Sequence, residues 1–308
     1  MANIVDGAVY RITNVRVPGS SLELEGGNPE NGTVAQIWNT NKSSQGYYNQ
    51  IWAVRKLAGA TPGKPDPYYF CNLRAGTCLD LRNGSSDPCT KLQGFAWNSD
   101  NKAASNINRL FWLNPKGDNI FTIVNVKSGT AVDLRKGDAS NGNDVIGYCC
   151  QEGNKNQLWV FQRLSLSNGE INAALRGLPL TQDTGVSHIM DKQYLCLPRG
   201  VINTIYAGTG LATTAWRQEI FDCDDFAFYM KAAVAKSANT WPVRANGFAL
   251  LSGFIVATHE DSCHAFNWFY LHGEDEADGK GRLEFFEPQS GRWDVNGLGY
   301  TRGHLVIY

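Results

Sequence analysis

Several things are missing from this chain, and each absence removes a class of function. No apolar run approaches the roughly 18 residues a membrane-crossing helix needs, so no transmembrane segment is expected. No charge excess exists: 28 Lys+Arg face 29 Asp+Glu for a net charge of −1, which excludes nucleic acid or an anionic membrane as an electrostatically held partner. The opening residues Met1-Ala2-Asn3-Ile4-Val5-Asp6-Gly7 lack both a basic stretch and an apolar stretch, so no secretion signal is expected. A cytoplasmic protein follows from that reading, acting on external cells after release or ingestion. The 8 cysteines include no Cys-x-x-Cys pair, which argues against a zinc knuckle. In a chain of 308 residues without a signal they are expected to be mostly reduced, buried small hydrophobes.

What is abundant is glycine (32) and aromatic residues (9 Trp, 12 Tyr, 14 Phe), the composition of a turn-rich β protein with ring-lined sites. The first half repeats one pattern three times. Leu22-Glu23-Leu24 leads to Asn31-Gly32, Trp38 and Asn49-Gln50-Ile51-Trp52. Leu79-Asp80-Leu81 leads to Asn83-Gly84, Phe95 and a degraded Asn108-Arg109-Leu110-Phe111-Trp112. Val132-Asp133-Leu134 leads to Asn141-Gly142, Tyr148 and Asn156-Gln157-Leu158-Trp159. Units of about 55 residues that recur with strand-like segments each need their neighbours to bury an apolar face.

The repeat also carries chemistry. A carboxylate accepts two sugar hydroxyls, a downstream amide adds a donor and an acceptor, and the apolar face of a hexose lies on the aromatic ring. Asp133, Tyr148, Asn156 and Gln157 form the most complete set. Glu23, Trp38, Asn49 and Gln50 form a second, in which the longer glutamate moves the carboxylate outward. Asp80, Phe95 and Asn108 form a third, with Arg109 interrupting the closing triplet. Trp52, Trp112 and Trp159 are expected in the core. The combination resembles the ricin B-type β-trefoil lectins from about residue 8 to 164, which implies an all-β β-trefoil over 1–164 and galactose-containing glycans of glycoproteins or glycolipids as partners.

After Gln162-Arg163-Leu164 the repeat stops. Ser167-Asn168-Gly169-Glu170 caps a predicted helix over Ile171–Arg176, and Asp222 a second over Cys223–Ala238. Strands are expected at Tyr194–Pro198, Gly247–Ala257, Ala265–Leu271, Arg282–Glu287 and His304–Tyr308. This order argues for a separate α+β domain over 165–308. Cys223 falls at a helix start, where unpaired N–H groups favour the thiolate and lower the thiol pKa. His264 and Glu287 follow on strands, the order a thiol nucleophile, its imidazole and an orienting acid take in papain-like peptidases.

Phe221-Asp222-Cys223-Asp224-Asp225-Phe226-Ala227, Ala245-Asn246-Gly247-Phe248-Ala249, Cys263-His264-Ala265-Phe266-Asn267 and Phe285-Phe286-Glu287-Pro288-Gln289 resemble the C-terminal domain of the Marasmius oreades agglutinin family of fungal chimerolectins. The resemblance implies a papain-like, calcium-dependent cysteine peptidase with Cys223, His264 and Glu287 as its triad, fused to a galactose-binding trefoil and dimerising through the C-terminal domain. It departs at Cys263 and at the insertion Gly273–Gly281, whose acidic run reads as a solvated loop. Trp216, Gln218 and Gln289 are candidates for the cleft or for an oxyanion donor. Two carboxylates beside a thiol oppose its ionisation, so Asp224 and Asp225, with Glu219, are candidate ligands of a divalent cation, calcium first and manganese as an alternative. Two functions then compete: a homodimeric lectin that delivers a peptidase to a peptide substrate, in a defence toxin, or a pure multivalent lectin with an inert dimerising C-terminal domain.

Overall fold

The computed structural model describes residues 4–59, 65–100, 102–178, 180, 187–188, 191–259, 262–272, 281–294, 299–300 and 302–308. The acidic insertion at 273–280 lies outside them. The chain forms two compact units, one of Met1–Asn41, Gln45–Arg163 and Val243–Asn246 and a second of Lys42–Ser44, Leu164–Pro242 and Gly247–Tyr308.

The first unit is a β-trefoil. Strands β1 (Val9–Asn14), β4 (Ile51–Lys56), β5 (Tyr68–Asn72), β8 (Phe111–Gly117), β9 (Ile120–Asn125) and β12 (Trp159–Arg163) pair antiparallel in a closed ring. Closure removes the unpaired edges that an open sheet would leave. Three hairpins cap this barrel: β2 (Val17–Leu24) with β3 (Thr33–Asn39), β6 (Cys78–Leu81) with β7 (Thr90–Phe95), and β10 (Ala131–Leu134) with β11 (Val145–Tyr148). Each hairpin tip donates to the next hairpin: Gly32 N–H to Gly94 O, Cys89 N–H to Gly147 O and Gly142 N–H to Ile37 O, at 2.8–3.0 Å. These three bonds are related by the internal threefold. They also correct one sequence equivalence: the tip of the second hairpin is at Cys89, in left-handed conformation, whereas Asn83-Gly84 matches the turns at Gly26-Gly27 and Lys136-Gly137.

Strand alternation sends Leu22 and Leu24, Leu79 and Leu81, and Val132 and Leu134 into one core with Trp52, Phe70, Phe121, Trp159 and Phe161. The indoles of Trp52 and Trp159 donate to Leu22 O and Val132 O at 2.9 Å. In the second repeat Phe111 takes the tryptophan's place in the core, and Trp112, expected there, is half-buried on the other side of the strand. A shift of one residue reverses which face a strand side chain points to, and aligning the degraded triplet on Trp112 introduces such a shift: Trp52, Phe111 and Trp159 share one register, opposite Asn72, Asn125 and Asn14.

The cysteine expectation is corrected in part: six thiols are free, but most of them are not buried. Cys71 and Cys78 are disulfide-bonded across β5 and β6, where the register sets them directly opposite. Of the free thiols, Cys89, Cys149, Cys150 and Cys263 are exposed, Cys223 is half-buried and Cys196 is buried.

The second unit is β-rich with few helices. A six-stranded sheet runs β14 (Ser187–His188), β21 (Arg302–Ile307), β17 (Gly253–His259), β18 (Ser262–Leu271), β19 (Arg282–Glu287), β20 (Arg292–Asp294). A three-stranded sheet joins β13 (Ser165–Ser167), β15 (Gln193–Leu195) and β16 (Ala249–Leu250). Besides the single turn α1 (Ala103–Asn106) of the first unit, the α-helices among the described residues are α2 (Asn168–Arg176), α3 (Arg199–Ala207) and α4 (Cys223–Thr240). Ser167 and Glu170 form a capping box on α2. The helix α3 is a finding: Gly200 and the β-branched Val201, Ile202 and Ile205 conceal it in sequence, although those three side chains form its buried face. The buried face of α4 (Phe226, Ala227, Met230, Val234) packs on the sheet, and Asn267 Nδ2 on β18 donates to Ala227 O at 2.9 Å.

The placement of Phe111, rather than Trp112, in the core is testable. Phe111→Ala should cost about 3–5 kcal/mol of stability, the range for deleting a buried aromatic side chain, whereas Trp112→Ala should cost less than half as much in the same urea titration.

Candidate functional site

The three acidic residues of the trefoil lie at equivalent places, each buried at 5% exposure or less. Each sits one strand position from core aliphatic residues, on the opposite face, and burial pushes each carboxyl above its ordinary value. The closing glutamine supplies the answering donor. Gln50 Nε2 donates to Glu23 Oε2 at 2.9 Å and Gln157 Nε2 to Asp133 Oδ2 at 3.0 Å. The same amides brace the loop after the aromatic: Gln50 bonds Asn39 O and Asn41 N–H, and Gln157 bonds Cys149 O and Gln151 N–H.

The pockets differ in what remains free. Directly across the ladder from the acid stand Gln36, Gln93 and Ile146 respectively. Gln36 donates to Glu23 Oε1 at 3.1 Å and Gln93 to Asp80 Oδ1 at 2.9 Å. Ile146 cannot donate, and both Gln157 and Asn154 (3.4 Å) address Asp133 Oδ2. Among the described residues Asp133 Oδ1 therefore accepts nothing from the protein, while both oxygens of Glu23 already accept one amide. In the second pocket the place of the glutamine is taken by Arg109, only 8% exposed. Its Nε lies 3.4 Å from Asp80 Oδ2 and its guanidinium carbon 4.7 Å from the centre of the Phe95 ring.

Trp38, Phe95 and Tyr148 occupy equivalent ladder positions, opposite Ser21, Cys78 and Ala131. Trp38 is 42% exposed, and Phe95 and Tyr148 are half-buried. Asn49, Asn108 and Asn156 fold against the glycines of the acidic turn. A methyl group added at Gly137, whose φ is +64°, would come within 2.7 Å of Asn156 Oδ1, so the turn depends on glycine there.

A fourth repeated position carries no signal of its own in the sequence motif. Asn14, Asn72 and Asn125 are buried at the ends of β1, β5 and β9 and donate to the backbone carbonyls of Asn156, Asn49 and Asn108 at 2.7–2.9 Å. They hold the sugar-turn asparagines from the neighbouring repeat. The trace that could have revealed them is Asn-Val-Arg, Asn-Leu-Arg and Asn-Val-Lys at 14, 72 and 125.

In the second unit His264 is the third residue of β18 and Glu287 closes the paired strand β19. The imidazole Nε2 meets Glu287 Oε2, and Gln289 N–H donates to Glu287 Oε1 at 3.0 Å. Pairing through Nε2 leaves Nδ1 as the nitrogen available to a reacting group. Tyr300, which no sequence motif marks, lies against the imidazole with ring centres 5.4 Å apart and planes 21° apart. Phe266 stacks on the same histidine at 6.0 Å.

Cys223 is the first residue of α4, and its sulfur faces the Ala265 N–H beside His264. Among the described residues the thiol and the imidazole share no hydrogen bond. The expected lowering of the thiol pKa is corrected: burial is the largest influence and pushes it up, the Ala265 N–H pulls it back, the carboxylates of Asp222 and Asp224 push it up again, and the helix-start N–H of Asp224 offsets them least, so the thiol ends above its ordinary value. Donor atoms of Asp222, Cys223 and Asp224 lie within 4.8 Å of one another. Asp222 and Asp224 share a hydrogen bond, which pulls the first carboxyl down and the second up. Asp225, expected to join a cation, instead accepts from Asp222 N–H at 3.2 Å, and for Glu219 it is the backbone N–H that contacts Asp222. Trp216 and Gln218 are exposed on the tight turn that precedes α4, closed by the mutual bonds of Arg217 and Phe221.

Known proteins share both halves. Residues 194–293 match the family described as agglutinin C-terminal. The structure of PSL1a in complex with E64 is 28% identical, covers 99% of this chain and 100% of its own, and superposes with a TM-score of 0.80. The Polyporus squamosus lectin bound to Neu5Acα2-6Galβ1-4GlcNAc gives the same identity, coverage and score. No curated protein sequence matches the chain. The ricin-type β-trefoil lectin-like family matches repeatedly over 3–95, 48–148 and 107–185, and the chain belongs to that family.

Proposed function

We propose that this protein is a lectin for galactose-type glycans and that the third-repeat pocket is its principal site. One observation carries the reading: Asp133 Oδ1 is an uncommitted acceptor in a pocket that also offers the Tyr148 ring. A pyranose whose hydroxyls donate to that oxygen and whose apolar face rests on the ring satisfies both groups. Glu23 and Trp38 offer a second, more committed pocket. The complex of the Polyporus squamosus lectin with a galactose-containing glycan supports the ligand class.

Asp133→Ala should weaken lactose binding at least tenfold in calorimetry, since a hydrogen bond to a charged group contributes about 1.5–3 kcal/mol, with the thermal midpoint retained. Unchanged affinity in this variant, with loss on Glu23→Ala, would reverse the ranking of the pockets. The pH dependence has a definite sign. Only the ionised carboxylate accepts through both oxygens, and burial pushes Asp133 up. Affinity is therefore full at neutral pH and falls on acidification, starting at a higher pH than an ordinary aspartate would give; a titration of lactose affinity from pH 7 downwards checks it.

We further propose that the second unit is a papain-like cysteine peptidase. The placement of His264 on Glu287 beside a helix-start cysteine supports this, as does the E64 complex of a chain similar over its whole length. In that reaction the Cys223 thiolate adds to a peptide carbonyl, and the imidazolium gives its Nδ1 proton to the departing amine. Water then hydrolyses the resulting thioester, with Glu287 and the Gln289 N–H holding the ring's orientation. The carboxylates of Asp222 and Asp224 fit a hard cation such as calcium, which prefers oxygen ligands. Its charge would offset the two acids that oppose the thiolate.

E64 should label wild-type protein but not Cys223→Ala, and more in millimolar calcium than in excess chelator, read by intact-mass spectrometry. No labelling under either condition would favour the inert C-terminal domain instead. Pairing of two chains adds avidity to weak pockets, and sedimentation showing only monomer at micromolar concentration would count against it.

A further inference from the structure

We infer that the second trefoil pocket is a complete glycan site held shut by the protein's own arginine, so that Arg109 sets how many sugars the chain can hold. The inference rests on the lectin reading above and deepens it. The walls of a sugar site are all in place. Asp80 occupies the position of Glu23 and Asp133, Gln93 that of Gln36, and Phe95 that of Trp38 and Tyr148. What differs is the closing triplet, where Arg109 stands in place of Gln50 and Gln157.

Arg109 does what a bound sugar would do. Its Nε faces Asp80 Oδ2 at 3.4 Å, where a hydroxyl would donate. Its guanidinium lies over Phe95 at 4.7 Å, where the apolar face of a pyranose would stack. The far end is tied down as well: one terminal nitrogen donates to Ser105 O at 3.2 Å and to Asn106 Oδ1 at 3.1 Å. With Gln93 on Asp80 Oδ1, both oxygens of this carboxylate are engaged from within the chain. A sugar would have to displace a buried, charge-paired side chain, whereas at Asp133 it displaces nothing of the kind.

The rest of the repeat has adjusted around the substitution. In the first and third repeats the triplet glutamine braces the loop after the aromatic. In the second, Asn106 does so from α1: its Oδ1 accepts from Asn98 N–H at 2.9 Å and its Nδ2 faces Asn98 O at 3.4 Å. Arg109 is thereby released from bracing and free to lie across the ring. The pocket keeps its shape while its seat is taken.

Isothermal titration with lactose on the full chain tests this. The double variant Glu23→Ala/Asp133→Ala disables the first and third pockets and should bind no lactose. Adding Arg109→Gln should restore binding at one site per chain, with affinity within about tenfold of the third pocket. Adding Asp80→Ala as well should abolish it again. Arg109→Ala in the same background serves if the glutamine variant has a lowered thermal midpoint. The inference is overturned if the double variant already binds lactose through Asp80. It is equally overturned if both folded Arg109 variants stay blank while wild type binds. Wild type that binds no lactose would instead overturn the lectin reading itself, and this inference with it.

Discussion

A carboxylate can be buried in a β-barrel only if donors are buried with it, and the trefoil is organised around meeting that demand three times. An unpaired buried charge costs several kcal/mol, comparable to a large part of a domain's net stability. Glu23, Asp80 and Asp133 are therefore matched by side chains that reach from the closing triplet of the same repeat. The triplet glutamines also fasten the loop after each aromatic in the first and third repeats, so acid, ring and loop become one rigid object. Recognition chemistry is what is left after the structural demand is met. At Asp133 one whole oxygen remains, at Glu23 each oxygen already accepts one amide, and at Asp80 one oxygen accepts an amide while the other faces a buried guanidinium.

Threefold repetition makes such divergence tolerable. Every hairpin tip bonds to its neighbour through backbone atoms, so these links between repeats do not depend on which side chains the tips carry. The second repeat has exchanged Trp for Phe111 in the core, Gln for Arg109 at the acid and Gly for Cys89 at the hairpin tip. Each exchange has a local compensation: Phe111 still fills the core, Arg109 still neutralises Asp80, and Asn106 takes over the loop. Only the function of that pocket has no such replacement.

How much of this could be read from sequence follows from which interactions are local. The Leu-x-Leu triplets and the Asn-Gln-x-Trp endings have short, fixed spacing, and they located the acids, rings and amides of the first and third pockets. The Asn14, Asn72 and Asn125 series has equally regular spacing but no chemistry of its own until its carbonyl partners, each from another repeat, are known. The place of Phe111 in the core is missed by alignment on tryptophan, because Leu110-Phe111-Trp112 offers an aromatic in either register and only the pairing with Asn125 decides between them. Tyr300 meets His264 from 36 residues away in sequence, a contact set by the sheet alone. Likewise, position at a helix start suggested an acidic thiol at Cys223, and only the fold reveals that burial and two adjacent acids outweigh the helix end.

That last conflict bears on how the two units differ as chemical devices. In the trefoil a buried acid is useful because its surroundings leave it a strong, directional acceptor while supplying just enough donors to keep it ionised. Around Cys223 the same ingredients work against a thiolate, since it and two carboxylates repel one another and, among the described residues, no cationic side chain counts among the groups that shift the thiol. Asp222 is also tied into the backbone: it is the N-cap of α4 and accepts from the Glu219 N–H, while Asp225 accepts from the Asp222 N–H. Asp222 therefore both builds the helix start and opposes ionisation of the thiol beside it, so the shape of the cap and the charge next to Cys223 are set by the same residue.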